Sequence, residues 1–177
     1  MREKVTAEEF GQILWLFCKD SAKTLCKEIK QKAESRGYHF DERKQFDLAR
    51  QSLIVTLWII SKTLPEEKRS LDTLHDIYFA GQQNLGETEQ EKHEILALAQ
   101  DELHDRYQRY YQAWPESPGD LFTFCSKISQ CILKPENPDG WFLDAFLVVD
   151  LLPMIVAMLE AVSDFRTQYE IGREEKP

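Results

Sequence analysis

Glycine and proline are scarce, seven of each in 177 residues. So few leave no room for Gly/Ser linkers or for the closely spaced turns of a sandwich or barrel. No stretch alternates apolar and polar residues as a half-buried strand does. Nor is there an uninterrupted apolar run near the ~20 residues that a bilayer requires. The richest candidate, Trp141 to Val162, is broken by Asp144, Asp150, Glu160 and Pro153. A membrane is therefore not an expected partner. Cysteine is limited to Cys18, Cys26, Cys125 and Cys131, with no CxxC and no histidine at zinc-finger spacing. Each cysteine stands inside an apolar pattern, which predicts buried, reduced thiols. Basic residues are outnumbered, 22 against 31, for a net charge of −9. That balance repels phosphate backbones and argues against nucleic acid. The opening MREKVTAEEF has no apolar signal-like core, so the expected compartment is the cytoplasm. Nucleophile elbows and glycine-rich phosphate loops are also missing.

What is present is helical. Long segments carry Leu, Ala, Glu, Lys and Gln, all good helix formers. Thr6 with Glu9 forms a capping box ahead of Phe10, Ile13, Leu14 and Phe17, and the first helix continues through Leu25, Ile29 and Ala33 to Gly37. Its other side carries Lys19, Lys23, Lys27 and Lys30, a pattern typical of a solvated face. Asp41 can cap a second helix with Phe46, Ala49, Leu53, Leu57, Ile60 and Leu64 inward. From Leu53 to Ile60 the apolar character spreads around that helix, and Pro65 closes it. A third helix spans Glu66 to Leu85 with Ser70 as a candidate N-cap and Leu71, Leu74, Ile77 and Tyr78 as its core face. Thr88 with Glu91 opens a fourth that runs to Trp114, its inward side marked by Ile95, Ala99, Leu103, Tyr107 and Tyr110. Ser117-Pro118 and Asn137-Pro138 read as starts of the fifth and sixth helices.

The last helix is apolar on every side, as a helix buried all round would be, and Pro153 predicts a kink near Asp150. The expectation is an all-α protein: a six-helix, largely antiparallel bundle with two inner helices, about 42–64 and 138–168. One domain would cover 1–171, with 172–177 a frayed tail.

One repeated pattern invites chemistry. Asp72-Thr-Leu-His75-Asp76-Ile-Tyr78 and Asp101-Glu-Leu-His104-Asp105-Arg-Tyr107 share DxLHDxY on consecutive helices. Carboxylate and imidazole three residues apart on antiparallel helices is how di-metal bundles gather ligands. Asp72, His75, Asp101 and His104 would form the set, with Asp150 or Asp47 adding oxygens. Helical phase opposes it, because both aspartates point outward and both histidines sit at the core boundary. The expectation is accordingly no metal and no cofactor, and about 1 kcal/mol or less for truncating either histidine. Glu91-x-x-Glu94 and Glu102-x-x-Asp105 share one helix and cannot converge without a second. Arg109 and Tyr111, in the aromatic and arginine-rich end of the fourth helix, are candidate interaction residues. Asp150 reads either as a carboxylate paired across helices or as a functional acid lining a cavity at the kink.

No convergent catalytic set emerges, so an enzyme is not the expectation. The expected function is a non-enzymatic helical interaction module, adaptor or chaperone-like, engaging a protein partner or itself. Two alternatives stand beside it: a metal-dependent helical enzyme using the two Asp-x-x-His pairs, and a small-molecule sensor with a pocket at the kinked helix.

Overall fold

The computed structural model describes residues 2–114, 121–133 and 140–172, the side chains of residue 133 and residues 140–146 excepted. In chain order the elements are β1 (Glu3–Val5), α1 (Ala7–Glu34), α2 (Glu42–Thr63), α3 (Lys68–Gln83), α4 (Glu89–Ala113), α5 (Phe122–Leu133), α6 (Gly140–Thr167) and β2 (Tyr169–Ile171). The six helices pack on one another as an all-α bundle.

The helix starts follow from local chemistry. Thr6 accepts from the Glu9 amide while the Glu9 carboxylate accepts from the Thr6 amide, so two otherwise orphaned donors are satisfied. Thr88 and Glu91 repeat the arrangement at α4. Asp41 accepts from the Lys44 amide at α2. At the end of α1, Gly37 takes φ +85, a left-handed conformation that lets the Tyr38 amide fold back to Ala33. The Ser117 and Asn137 starts lie outside the described residues. Ser70 is not an N-cap: α3 begins after Glu67, and Ser70 lies buried within its first turn.

α2 is the inner helix. Every residue from Ile54 to Ile60 is fully buried, walled by α1, α4, α5 and α6. Its first turns differ from expectation, with Leu48 buried and Phe46 and Ala49 exposed. The sequence pattern there placed the apolar stripe one step too far round the helix. α6 differs more. Leu147, Val148, Leu151, Ile155 and Val162 form a single buried stripe, whereas Val149 is 63% exposed and Leu152 and Val156 are partly open. Among the described residues one side of this helix meets the bundle, because α5, α1 and α2 approach it from that side. It remains continuous through Pro153.

α1 and α6 run antiparallel. Asp150, early in α6, meets Lys32 and Arg36 past the end of α1, and Phe165, late in α6, stacks on Phe17 near the start. The short strands were not anticipated. β1 and β2 pair in parallel, Glu3 with Tyr169 and Val5 with Ile171, and the Gly172 amide donates to Val5. Three-residue strands are too short for alternation to register. Of the segment expected to fray, Gly172 is therefore tied down, and 173–177 lie outside the described residues.

Gly11 sets how closely α1 and α3 approach. A Cβ there would lie 2.6 Å from the Ser70 carbonyl oxygen and 2.6 Å from Thr73 Cβ. The backbone of α3 cannot yield without moving the helix. Gly11→Ala should lower stability by about 1–3 kcal/mol despite alanine's better helix propensity. Gly81, also helical but with nothing within 4 Å of its Cβ position, should gain about 0.5–1 kcal/mol from the same change. Urea denaturation of the two variants checks both signs.

Candidate functional site

An apolar groove of about 670 Å³ opens between α1 and α6. Ile13, Phe17 and Leu25 supply its α1 side, and Met154, Met158 and Phe165 line it from α6. Leu16, also in the lining, is 56% exposed. The α6 wall begins at Met154, one residue past Pro153, and presents Ala157 and Ala161 to solvent one turn apart. Along the opposite edge Asp20, Thr24 and Glu28 follow at successive turns of α1. Neither Asp20 nor Glu28 has an ion-pair partner among the described residues.

The residues that sequence reasoning singled out are elsewhere. Asp72, Asp101 and His104 are exposed, and His75 is half-buried. Among the described residues no three His, Cys, Asp or Glu side chains gather closely enough to hold a metal ion. One hydrogen bond joins the two DxLHDxY segments among the described residues. His75 Nε2 lies 2.8 Å from the Tyr107 hydroxyl, and His75 Nδ1 lies 2.8 Å from the Leu71 carbonyl. A carbonyl only accepts, so Nδ1 carries the proton, and the unprotonated Nε2 accepts from Tyr107. Tyr107 in turn lies 3.4 Å from Ser61, whose hydroxyl donates to Leu57. The repeats are not equivalent: Tyr78 is buried, and His104 has no counterpart to the Tyr107 contact.

Glu102, set aside in the sequence as one of several acids on one helix, turns inward instead. It pairs with Arg50 and accepts from Gln51 Nε2 at 2.8 Å. Arg106 Nε donates to the other end of that amide, Gln51 Oε1, at 2.9 Å. This polar seam joins α2 to α4 and satisfies a glutamine that is 2% exposed. Arg109 is held along its own helix by Asp105 at 3.0 Å. Tyr111, 49% exposed, rests its ring 5.3 Å from Trp58, with Lys62 Nζ 5.4 Å from its centre.

Asp150 is paired across helices. Its hydrogen bond with Arg36, together with the Arg36 and Lys32 charges, holds the carboxyl below its ordinary range against a smaller opposing cost of burial. That direction is opposite to the raised pKa of a proton-donating acid, and the stabilising contribution of the pair is lost as the pH falls below about 3.8. The thiols are free, with Cys18, Cys125 and Cys131 buried. Burial alone pushes Cys125 up to about 12 and Cys18 further still, the opposite of an activated nucleophile.

Compared with known proteins, the chain matches no family model, no curated sequence and no solved structure.

His75 carries a pH dependence of known sign. Burial is the main effect and disfavours the imidazolium, so its pKa lies below the usual 6.5. The unfolded chain then takes up a proton before the folded one does. Stability is full above about pH 6.5 and declines as the pH drops from there to the folded value, at up to ~1.4 kcal/mol per pH unit. His75→Gln should flatten that decline when urea midpoints are compared at pH 7.5 and 5.5. His75→Ala should cost about 1–3 kcal/mol at neutral pH, more than a boundary site, because the Tyr107 hydroxyl loses its acceptor. Replacing the exposed His104 should cost within about 0.5 kcal/mol.

Proposed function

We propose that the protein is a non-enzymatic interaction module and that its working surface is the α1/α6 groove, which receives an amphipathic helix from another protein. The groove itself carries this reading. It is apolar at its centre, open to solvent and walled by two helices, the form in which amphipathic helices are held. Methionines such as Met154 and Met158 adapt their shape to an incoming side chain. Leu16 stands exposed within this contiguous apolar lining, and a contiguous apolar patch marks an interaction surface.

The rest of the molecule agrees with this assignment. Cys18, Cys26 and Cys125 are unactivated, His75 is committed to a neighbouring tyrosine, and the inward acid Glu102 is neutralised by Arg50. Four free thiols suit a reducing compartment such as the cytoplasm. The acidic balance disfavours nucleic acid as the partner. A small apolar ligand is the second reading, favoured by the contiguous lining beside Pro153. The openness of the groove weighs against it, because small-molecule sites enclose most of their ligand.

The test is site-specific photo-crosslinking in cells. Crosslinkers at Leu16 and Met158 should attach to one segment of a second protein that reads as an amphipathic helix. A crosslinker at Leu98, exposed on α4 away from the groove, should not. Ala157→Glu combined with Ala161→Glu should abolish the attachment while leaving the helical spectrum unchanged. Attachment from Leu98 alone, or a partner that survives the double substitution, overturns the proposal.

A further inference from the structure

Granting that the groove docks a helix, the distribution of charge along it specifies the helix. We infer that the partner is an amphipathic helix of three to four turns whose polar flank is basic, with two Lys or Arg side chains spaced about two turns apart.

Length comes from the lining. On α1 it runs from Ile13 to Glu28 and on α6 from Met154 to Phe165, which at 1.5 Å per residue is ~22 Å and ~16 Å. That is room for about three to four turns of a third helix. Orientation about the helix axis comes from the two edges, which differ. The α6 edge is small and apolar at Ala157 and Ala161, so a helix can lie close against it. The α1 edge offers Asp20 and Glu28, both without a cation partner among the described residues, with the Thr24 hydroxyl between them. Eight residues separate the two carboxylates, ~12 Å along α1. A helix lying alongside meets both with cations seven or eight residues apart.

The nearby lysines do not already serve this purpose. Lys19 lies over the Trp15 ring at 5.7 Å, and Lys30 is engaged with Glu34 and Gln45. Lys23 and Lys27 are exposed but do not line the groove. The carboxylates also discriminate between occupants. An anionic acyl chain would bring its headgroup against Asp20 or Glu28, and an acid-flanked helix would be repelled along its whole length. A net charge of −9 adds long-range attraction for a basic segment.

The experiment uses two synthetic helical peptides of about fourteen residues with the same leucines at i, i+3, i+4, i+7 and i+11, as three to four turns require. One carries lysine on the flanking positions and the other glutamate. Fluorescence anisotropy against the full chain should show the lysine peptide binding about tenfold or more tighter, with the advantage shrinking as salt is raised. Asp20→Lys with Glu28→Lys should reverse the preference, and Ala157→Trp should weaken both peptides. Asp20 and Ala157 are exposed and Glu28 is half-buried, and unchanged thermal melts confirm that the variants fold. Equal binding of the two peptides, with Ala157→Trp weakening both, sinks the charge rule and leaves the docking groove standing. Binding of neither peptide, with the groove taken instead by a fatty acid or by a second copy in sedimentation, overturns both.

Discussion

Burying α2 is the constraint that the rest of the bundle answers to. From Ile54 to Ile60 no side of the helix faces water, so no single neighbouring helix can shelter it. Four helices pack around it, and each must bring an apolar stripe. Trp58 shows how closely they fit, its ring 4.7 Å from Phe124 of α5 and 5.8 Å from Tyr110 of α4. Two of the polar groups that enter this region are satisfied, locally or across the seam, while the Trp58 indole nitrogen has no hydrogen-bond partner among the described residues. The Thr56 hydroxyl returns to the Ser52 carbonyl, and Gln51 is held between Glu102 and Arg106. The seam matters for register as much as for energy, because an amide that must meet both a carboxylate and a guanidinium fixes how α2 and α4 slide past each other.

The same sequence character produced two different outcomes. α2 and α6 both read as apolar all round, yet α2 is enclosed and α6 is covered on one side only. Hydrophobic pattern reports what a helix is able to bury, while enclosure depends on how many other helices remain to surround it. With α1, α2 and α5 on one side of α6, nothing among the described residues covers Val149 or Val156. The caps at Thr6, Asp41 and Thr88 were legible because they depend on residues three apart. The close approach at Gly11 was not, since it depends on which turn of α3 comes to rest against α1. Phe46 misled because an aromatic at helical spacing reads as core wherever it lies.

The proposed docking surface was harder to read than the fold. Its two walls come from opposite ends of the chain, and no local spacing joins Leu16 to Met158. One signal existed: Ile13, Leu16 and Phe17 extend the apolar arc of α1 beyond what a single core stripe needs. The repeated DxLHDxY drew attention to chemistry, but its shared spacing yields one histidine–tyrosine hydrogen bond. Asp150 followed the commoner course for a carboxylate in apolar sequence and found cations in Lys32 of the last turn of α1 and Arg36 just beyond it.

The parallel pairing of β1 with β2 has a mechanical side. Parallel strands leave from opposite ends of their ladder, so tension applied before Glu3 and after Ile171 pulls the two strands lengthwise past each other. In that geometry the rungs share the load and must fail together instead of opening one at a time. Arg166 adds a second tether just behind them, reaching both Glu67 and the Tyr169 carbonyl. Strain carried along the backbone is thereby taken up at the clasp before it reaches α1 and α6, and the spacing of the groove walls is shielded from whatever pulls on the chain.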